Sequence, residues 1–401
     1  MNNDNNKLYN PNMKLNIKKV TIPNFFRRRV IEALIFLAVI GLFFGFLGVR
    51  MGAANMLNTV MQTAYHLLLE TVFFLMAVCV LTGALGKLLV EFGVVRLVEF
   101  VLRPLMKPIY NLPGVAALGG ILTFLSDNPA IITLSKDRYF SNYFKTYQLC
   151  SLTNFGTAFG MGLVVVFYML GLGFLNGAVV GLVGAVIGSI VSTRLMQRFT
   201  LKSYPELDRF ESQHELEANE NISFKSQGSA FMRFLDSILD GGKEGVSIGL
   251  AIIPGVLIIS TMVMMLTFGA SGVDGAYTGA AYEGVPVLPY LAGKIDFVFK
   301  WLFGFEHPEL VAFPITSLGA VGAALGLLPK FIAEGFIDNN AIAVCTAIGM
   351  CWSGFLSTHT AMLDSLGHRE LISKAIGAHT IGGLVAGISA HWLYVLLALI
   401  F

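Results

Sequence analysis

Long apolar runs separated by short polar interruptions dominate this chain. The runs at 30–49, 67–85, 163–191 and 375–401 lie near or above the ~20 residues that a helix needs to cross ~30 Å of hydrocarbon. Taken in order, the pattern predicts a helix at 30–49, a short turn, a second span at 65–85 and an amphipathic interfacial segment at 94–106. Spans at 147–172 and 174–191 follow, the latter carrying glycines 177, 181, 184 and 188 at a spacing that suits close helix contact. Between the amphipathic segment and these spans the apolar pattern is interrupted by Ser126-Asp127-Asn128-Pro129, and again over 151–157. Proline removes a backbone donor and disfavours helix at the residue before it. Such a break cannot face lipid, because its freed carbonyls need partners, and so it predicts a turn lining a protein-enclosed polar cavity.

Composition strengthens the membrane assignment. Of 401 residues, 55% are hydrophobic and only 13% charged, outside the range of an ordinary soluble globule. The net charge of +2 says little about partners, but its placement says more. Lys7, Lys14, Lys18, Lys19, Arg27, Arg28 and Arg29 precede the first apolar run against Asp4 alone, which predicts a cytoplasmic N-terminus. That run carries Glu32 and no small-x-small cleavage site, so it reads as a retained helix. Cys79, Cys150, Cys345 and Cys351 sit in apolar segments without metal-ligand spacing, which supports neither a disulfide framework nor a zinc site.

The expected organisation is a cytoplasmic tail at 1–29, a first membrane half at 30–193, a hydrophilic cytoplasmic linker at 194–230 and a second half at 231–401. The halves echo one another. Leu118-Gly119 and Pro129 recur as Leu318-Gly319 and Pro329, Leu112-Pro113 as Phe313-Pro314, Glu70 as Glu244, and the polar cluster at 151–157 as that at 353–360. Counting crossings from a cytoplasmic N-terminus makes the copies inverted. Charge agrees in sign: the segments flanking the first break hold seven Lys or Arg (87, 96, 103, 107, 136, 138, 145) against three (294, 300, 330) for the second, and 269–290 holds none.

Leu112-Pro113-Gly114-Val115, Ser126-Asp127-Asn128-Pro129 and the cluster at 151–156, with the weaker second copy at 313–319 and 352–360, resemble the nucleoside-recognition or gate-domain membrane proteins. That family includes the spore maturation A and B proteins. The resemblance covers about two thirds of the chain, and it implies likeness to the gate regions of concentrative nucleoside transporters and of the ferrous iron transporter. The chain has no Gly-x-x-x-x-Gly-Lys-Ser/Thr, so the iron transporter's GTP-binding domain is missing, and Gly326-Leu327-Leu328 replaces Ser-Asp-Asn in the second copy.

The resulting expectation is an all-α polytopic inner-membrane protein with two inverted gate-type repeats and re-entrant or broken helices. It would act as a secondary transporter, coupled to protons or sodium, of a small polar or nucleoside-like solute. The alternative is a non-transporting component of an envelope or sporulation-type assembly. Candidate solute ligands are Ser126, Asp127, Asn128, Asn154, Thr157, Ser353, Ser357, Thr358 and His359; candidate ion-coupling residues are Asp127, Glu70 and Glu244. An ionised carboxylate deep in a membrane costs about 2.5–3.5 kcal/mol unless paired, hydrated or protonated, so Asp127 either serves a coupling ion or caps a half-helix. Glu70 and Glu244 read first as interfacial residues, their repeat-matched placement keeping a gating role open, and His359 first as a His satisfied by neighbouring hydroxyls and second as a proton site. No enzymatic, cofactor, metal or nucleic-acid motif is present, so the expected partners are the solute, its coupling cation, the lipid bilayer and further copies of the chain.

Overall fold

The computed structural model describes residues 28–210 and 228–400. The basic residues before Arg28 and the acidic stretch 211–227 therefore lie outside the described residues. The protein is an all-α integral membrane protein, and no strand occurs among the described residues. Seven of its described helices are long and apolar enough to cross a bilayer. The first, Arg28–Met51, belongs to its own compact unit, ending at Ala53, and Gly52 follows it with a left-handed φ of 83°.

The remaining unit is built from paired elements. Two long frame helices, Ala53–Glu91 and Ala230–Met264, pack through glycine. Gly83 faces Gly241, Cys79 faces Gly245, and Met76 faces Gly249, so the two run antiparallel with backbones in direct contact. Each also holds a π-helical stretch, at Leu67–Val72 and Gly255–Ser260. Two closing helices, Leu175–Ser203 and Ile372–Ile400, repeat the arrangement: Gly184 meets Ala390, Gly188 meets Ala386 and the Gly382 carbonyl, and Gly382 meets Ser192. The glycine spacing read from 177 to 188 is this contact face, with Gly177 and Gly181 meeting residues Asn339 to Thr346. Leu175–Ser203 also runs past the boundary expected at 193, so the first part of the predicted linker is helix.

Two broken helices lie between these pairs. The first consists of Thr146–Thr157 and Gly162–Gly171, the second of Asn339–Cys351 and Phe355–Ser365. Contacts Asn154 to Ser192 and Ser151 to Gln197 make the first antiparallel to Leu175–Ser203, while Gly177 to Asn339 and Ala185 to Cys351 make the second parallel to it. The two broken helices are therefore antiparallel to each other, as are the frame and closing pairs.

The polar clusters do not themselves interrupt these helices, which corrects the expected break positions. Residues 151–157 are helical and the break follows at 158–161, where Met161 takes a φ of 53°. In the second copy the break is at 352–354, with Gly354 at 59°, and 355–360 is helix again. Ser and Thr there bond back to carbonyls one turn earlier, Ser151 to Gln148 and Thr358 to Gly354, so their hydroxyls are compatible with the helix.

Two short hairpins complete the unit. The first, Ala116–Leu125 and Pro129–Lys136, is anchored where Gln148 donates to the Asn111 carbonyl at 2.7 Å, beside Thr146 N–H on Arg209 at 2.8 Å. This is the end at which Glu91 pairs with Arg233, here termed the linker end. The second hairpin, Ala312–Gly319, Val321–Leu325 and Leu328–Ala333, is anchored at the opposite end, where Asp338 caps the second broken helix through Ala341 N–H at 2.7 Å. The hairpins enter from opposite ends.

Candidate functional site

Pro129 opens the outgoing half of the first hairpin, leaving Ser126 to Asn128 as a short non-helical tip. Asn128 takes the N-cap position without capping through its side chain. It reaches across instead: its Nδ2 donates to the Ser353 carbonyl at 2.5 Å, and it lies against Gly160 and Gly354. One tip residue thus touches the breaks of both broken helices. Gly160 is required by this approach, since a Cβ there would fall on the Asn128 amide.

A buried polar chain supports the same region from behind. Asn154 Nδ2 donates to Ser192 Oγ and to the Ala375 carbonyl, both at 3.0 Å. Ser192 Oγ lies 2.9 Å from His379 Nδ1, and His379 Nε2 meets the Cys351 carbonyl. A neutral His379 carrying its proton on Nε2 satisfies every partner: Asn154 donates to Ser192, Ser192 donates to His379, and His379 donates to Cys351. This chain ties one broken helix and both closing helices to the break in the other.

These commitments leave a set of buried atoms without partners among the described residues: Asp127 Oδ1, Asn128 Oδ1, Asn154 Oδ1, Thr153 Oγ1, Thr157 Oγ1 and both ring nitrogens of His359. The Asn154 amide nitrogen has spent both hydrogens and leaves only an acceptor oxygen, whereas Asn128, with one hydrogen committed to Ser353, offers its oxygen and a second N–H. A buried acceptor without a donor costs about 1–3 kcal/mol, so several together are compatible with a bound cation or with the O–H and N–H groups of a polar solute. His359 is fully buried, with its ring 4.7 Å from that of His379 and 5.7 Å from that of Phe355.

The other sequence candidates fall into two groups. Ser353 and Thr358 are buried at the second break, and Ser126 Oγ is used within the hairpin on Leu122 at 2.7 Å. Ser357 is exposed and bonds to Gly354 at 2.9 Å. Glu70 and Glu244 are exposed on the frame helices and are not drawn into the buried set. Glu70 lies within the Ala53–Glu91 helix rather than at the start of a span, 3.1 Å from His66. Sequence reasoning passed over Thr153, Ser192 and His379. Ser192 was legible as the next position on the 184–188 glycine face, and His379 as one of the small-residue face of the last helix, beside Ala375, Ala378, Gly382 and Gly383.

No protein family matches the chain in sequence, and no curated protein does. Solved structures to which it is similar include CNTnw, a concentrative nucleoside transporter, in an inward-facing substrate-bound state, at 14% identity and a TM-score of 0.49 over 91% of this chain and 87% of that one. A doubly substituted CNTnw in an outward-facing state is similar at 13% identity and a TM-score of 0.49, over 90% of this chain and 84% of that one.

Proposed function

We propose that this protein is a secondary transporter of a small polar, nucleoside-like solute, and that Asp127 carries or orients its coupling cation. The observation that supports this reading most strongly is the buried acceptor set where the first hairpin tip meets both helix breaks. Discontinuous helices meeting inside a bilayer are the means by which carriers build solute and ion sites. In the proposed cycle Asn128, Asn154 and Thr157 accept from the solute or ion, Ser353, Thr358 and His359 line the opposite wall, and Asp127 supplies the charge. The antiparallel packing of each corresponding helix pair supports inverted repeats, and hence two mirror-related gates. Kinship with the gate-domain proteins, an inner-membrane location and a cytoplasmic N-terminus belong to the same reading, the last supported by the basic residues before position 30.

Uptake into reconstituted vesicles is the test, with nucleosides and other small polar solutes supplied under imposed proton or sodium gradients. Accumulation should require one of the gradients, and Asp127→Asn should abolish that dependence. An unchanged gradient dependence in the variant would refute the role given to Asp127.

A further inference from the structure

The two hairpins are fastened differently. At the base of the first, Asn111 adopts a left-handed φ of 56° and lies within a side-chain network: Asn111 Nδ2 donates to Tyr147 Oη and Gln197 Oε1, both at 3.2 Å, and Gln197 Nε2 donates to the Tyr110 carbonyl at 3.0 Å. With Gln148 on the Asn111 carbonyl, this base is tied to a broken helix and a closing helix by directional bonds.

The base of the second hairpin meets the connection between Met264 and Val287 instead. That strap folds round one carboxylate. Glu283 is buried and accepts from Ser271 N–H at 3.1 Å, Ser271 Oγ at 2.6 Å, Thr278 Oγ1 at 3.0 Å, Thr278 N–H at 3.0 Å and Gly279 N–H at 2.8 Å. The strap is also pinned to the frame helix, by Asn55 Nδ2 on the Tyr277 carbonyl and by Tyr282 N–H on Thr63 Oγ1, each at 2.8 Å. Tyr282 is held at a φ of 68°, a conformation rare for a bulky side chain, which persists only where the surroundings impose it. The Tyr282 ring lies 6.1 Å from that of His66 on the frame helix. Lys330, in the hairpin's outgoing arm, places Nζ 5.5 Å from the Tyr282 ring centre and 5.4 Å from that of Phe268. The hairpin reverses at Ala320, which is extended between the two arms, and helical φ/ψ at Gly326 and Leu327 carry the outgoing arm on to Ala333.

We propose that the Glu283-centred strap, with Tyr282, Phe268 and Lys330, is a latch that fastens the second hairpin to the frame, and that Lys330 is a positioning residue which sets how readily the hairpin opens. The strap is rigid on the frame side and meets the hairpin through a cation resting on two rings and through Phe268 against Phe331, 5.8 Å between ring centres, while Ser260 Oγ of the second frame helix donates separately to the Ala323 carbonyl at 2.7 Å. Only the latch's place in a transport cycle rests on the transporter reading.

Hydrogen exchange of the purified full chain tests the latch without any solute. In Lys330→Met, amides in 321–333 should exchange about five to thirty times faster, the range that two cation–ring contacts at a partly exposed site carry. Amides in 269–284 should be unchanged, and Lys330→Arg, which keeps a cation over the rings, should stay within about twofold of native. Exchange in 321–333 that is unaltered by Lys330→Met, or raised equally by Lys330→Arg, overturns the proposal. Glu334→Gln removes the surface pair at Lys330, and matching the Lys330→Met effect would overturn it as well, since the ion pair would then be the fastening. Uptake assays on the same proteins separate the two ideas: absent uptake in the native chain sinks the transport reading and leaves the exchange result standing.

Discussion

Replacing Glu283 by glutamine keeps the side chain's volume and removes its charge. Oε1 faces Ser271 N–H, Ser271 Oγ and Thr278 Oγ1, Oε2 faces Gly279 N–H, and Thr278 N–H is shared between the two oxygens at 3.1 and 3.0 Å. An amide nitrogen cannot accept, so one side of the glutamine must point donors at donors. With nitrogen at the Oε2 position Gly279 N–H loses its acceptor, while Thr278 N–H keeps its bond to Oε1. A buried donor left without an acceptor costs about 1–3 kcal/mol, so the free energy that keeps the strap closed should fall by that amount, less where the loop relaxes. Amide exchange at Ser271, Thr278 and Gly279 reads this directly, and even the lower figure corresponds to about fivefold faster exchange. Rates within about threefold of native would refute the argument that this carboxylate organises the strap.

The same residue gives a pH signature. Burial pushes the Glu283 carboxyl up, but the hydrogen bonds from Ser271 and Thr278 outweigh it and hold the group down at about 2, against an ordinary 4.5. A depressed pKa stabilises the fold above the unfolded value and loses that contribution as pH falls through the folded one. Protection of the strap amides should therefore be flat above 4.5 and decline between 4.5 and about 2. In the glutamine variant this decline should be absent.

Two further substitutions probe the packing and the polar chain. Gly245→Val would drive a side chain into the Cys79 and Val80 backbone, where no rotamer change relieves the clash. A loss of about 1–3 kcal/mol or more is expected, read as a lowered midpoint in thermal unfolding in detergent, and an unaltered midpoint would contradict the direct backbone contact of the frame helices. Ser192→Ala removes the link between Asn154 and His379 and leaves His379 Nδ1 without its donor. It should destabilise by about 1–3 kcal/mol and weaken solute-dependent thermal stabilisation, whereas an effect on stability alone would mark the chain as purely structural.

Much of the fold was legible because hydrocarbon imposes strict rules on sequence. A backbone in lipid must satisfy its own hydrogen bonds, so spanning helices need long apolar runs, and a polar break with proline marks a hairpin tip. The tip at Ser126 to Asn128 was read correctly on those grounds, and so was the glycine face of 177–188. The break positions in the broken helices were not. Ser, Thr and Asn do not themselves end a helix, since their side chains find carbonyls one turn back or partners on another helix, so 151–157 stays helical and the chain breaks after it. Local pattern also offered Glu70 and Glu244 as ion-coupling candidates beside Asp127, although of the three Asp127 alone contributes an atom to the buried set.

The sequence by itself determined that the chain is helical, that it spans a membrane and where its apolar elements lie, because these depend on composition and on short-range backbone chemistry. Tertiary structure alone decided which polar atoms are spent and which remain. Asn154 has the same side chain as every other asparagine, and is left with only an acceptor because Ser192 and Ala375, more than thirty residues away along the chain, take up both its amide hydrogens, while Ser353 takes one of those of Asn128. Glu283 likewise becomes the centre of the strap only where folding gathers Ser271, Thr278 and Gly279 around its carboxylate.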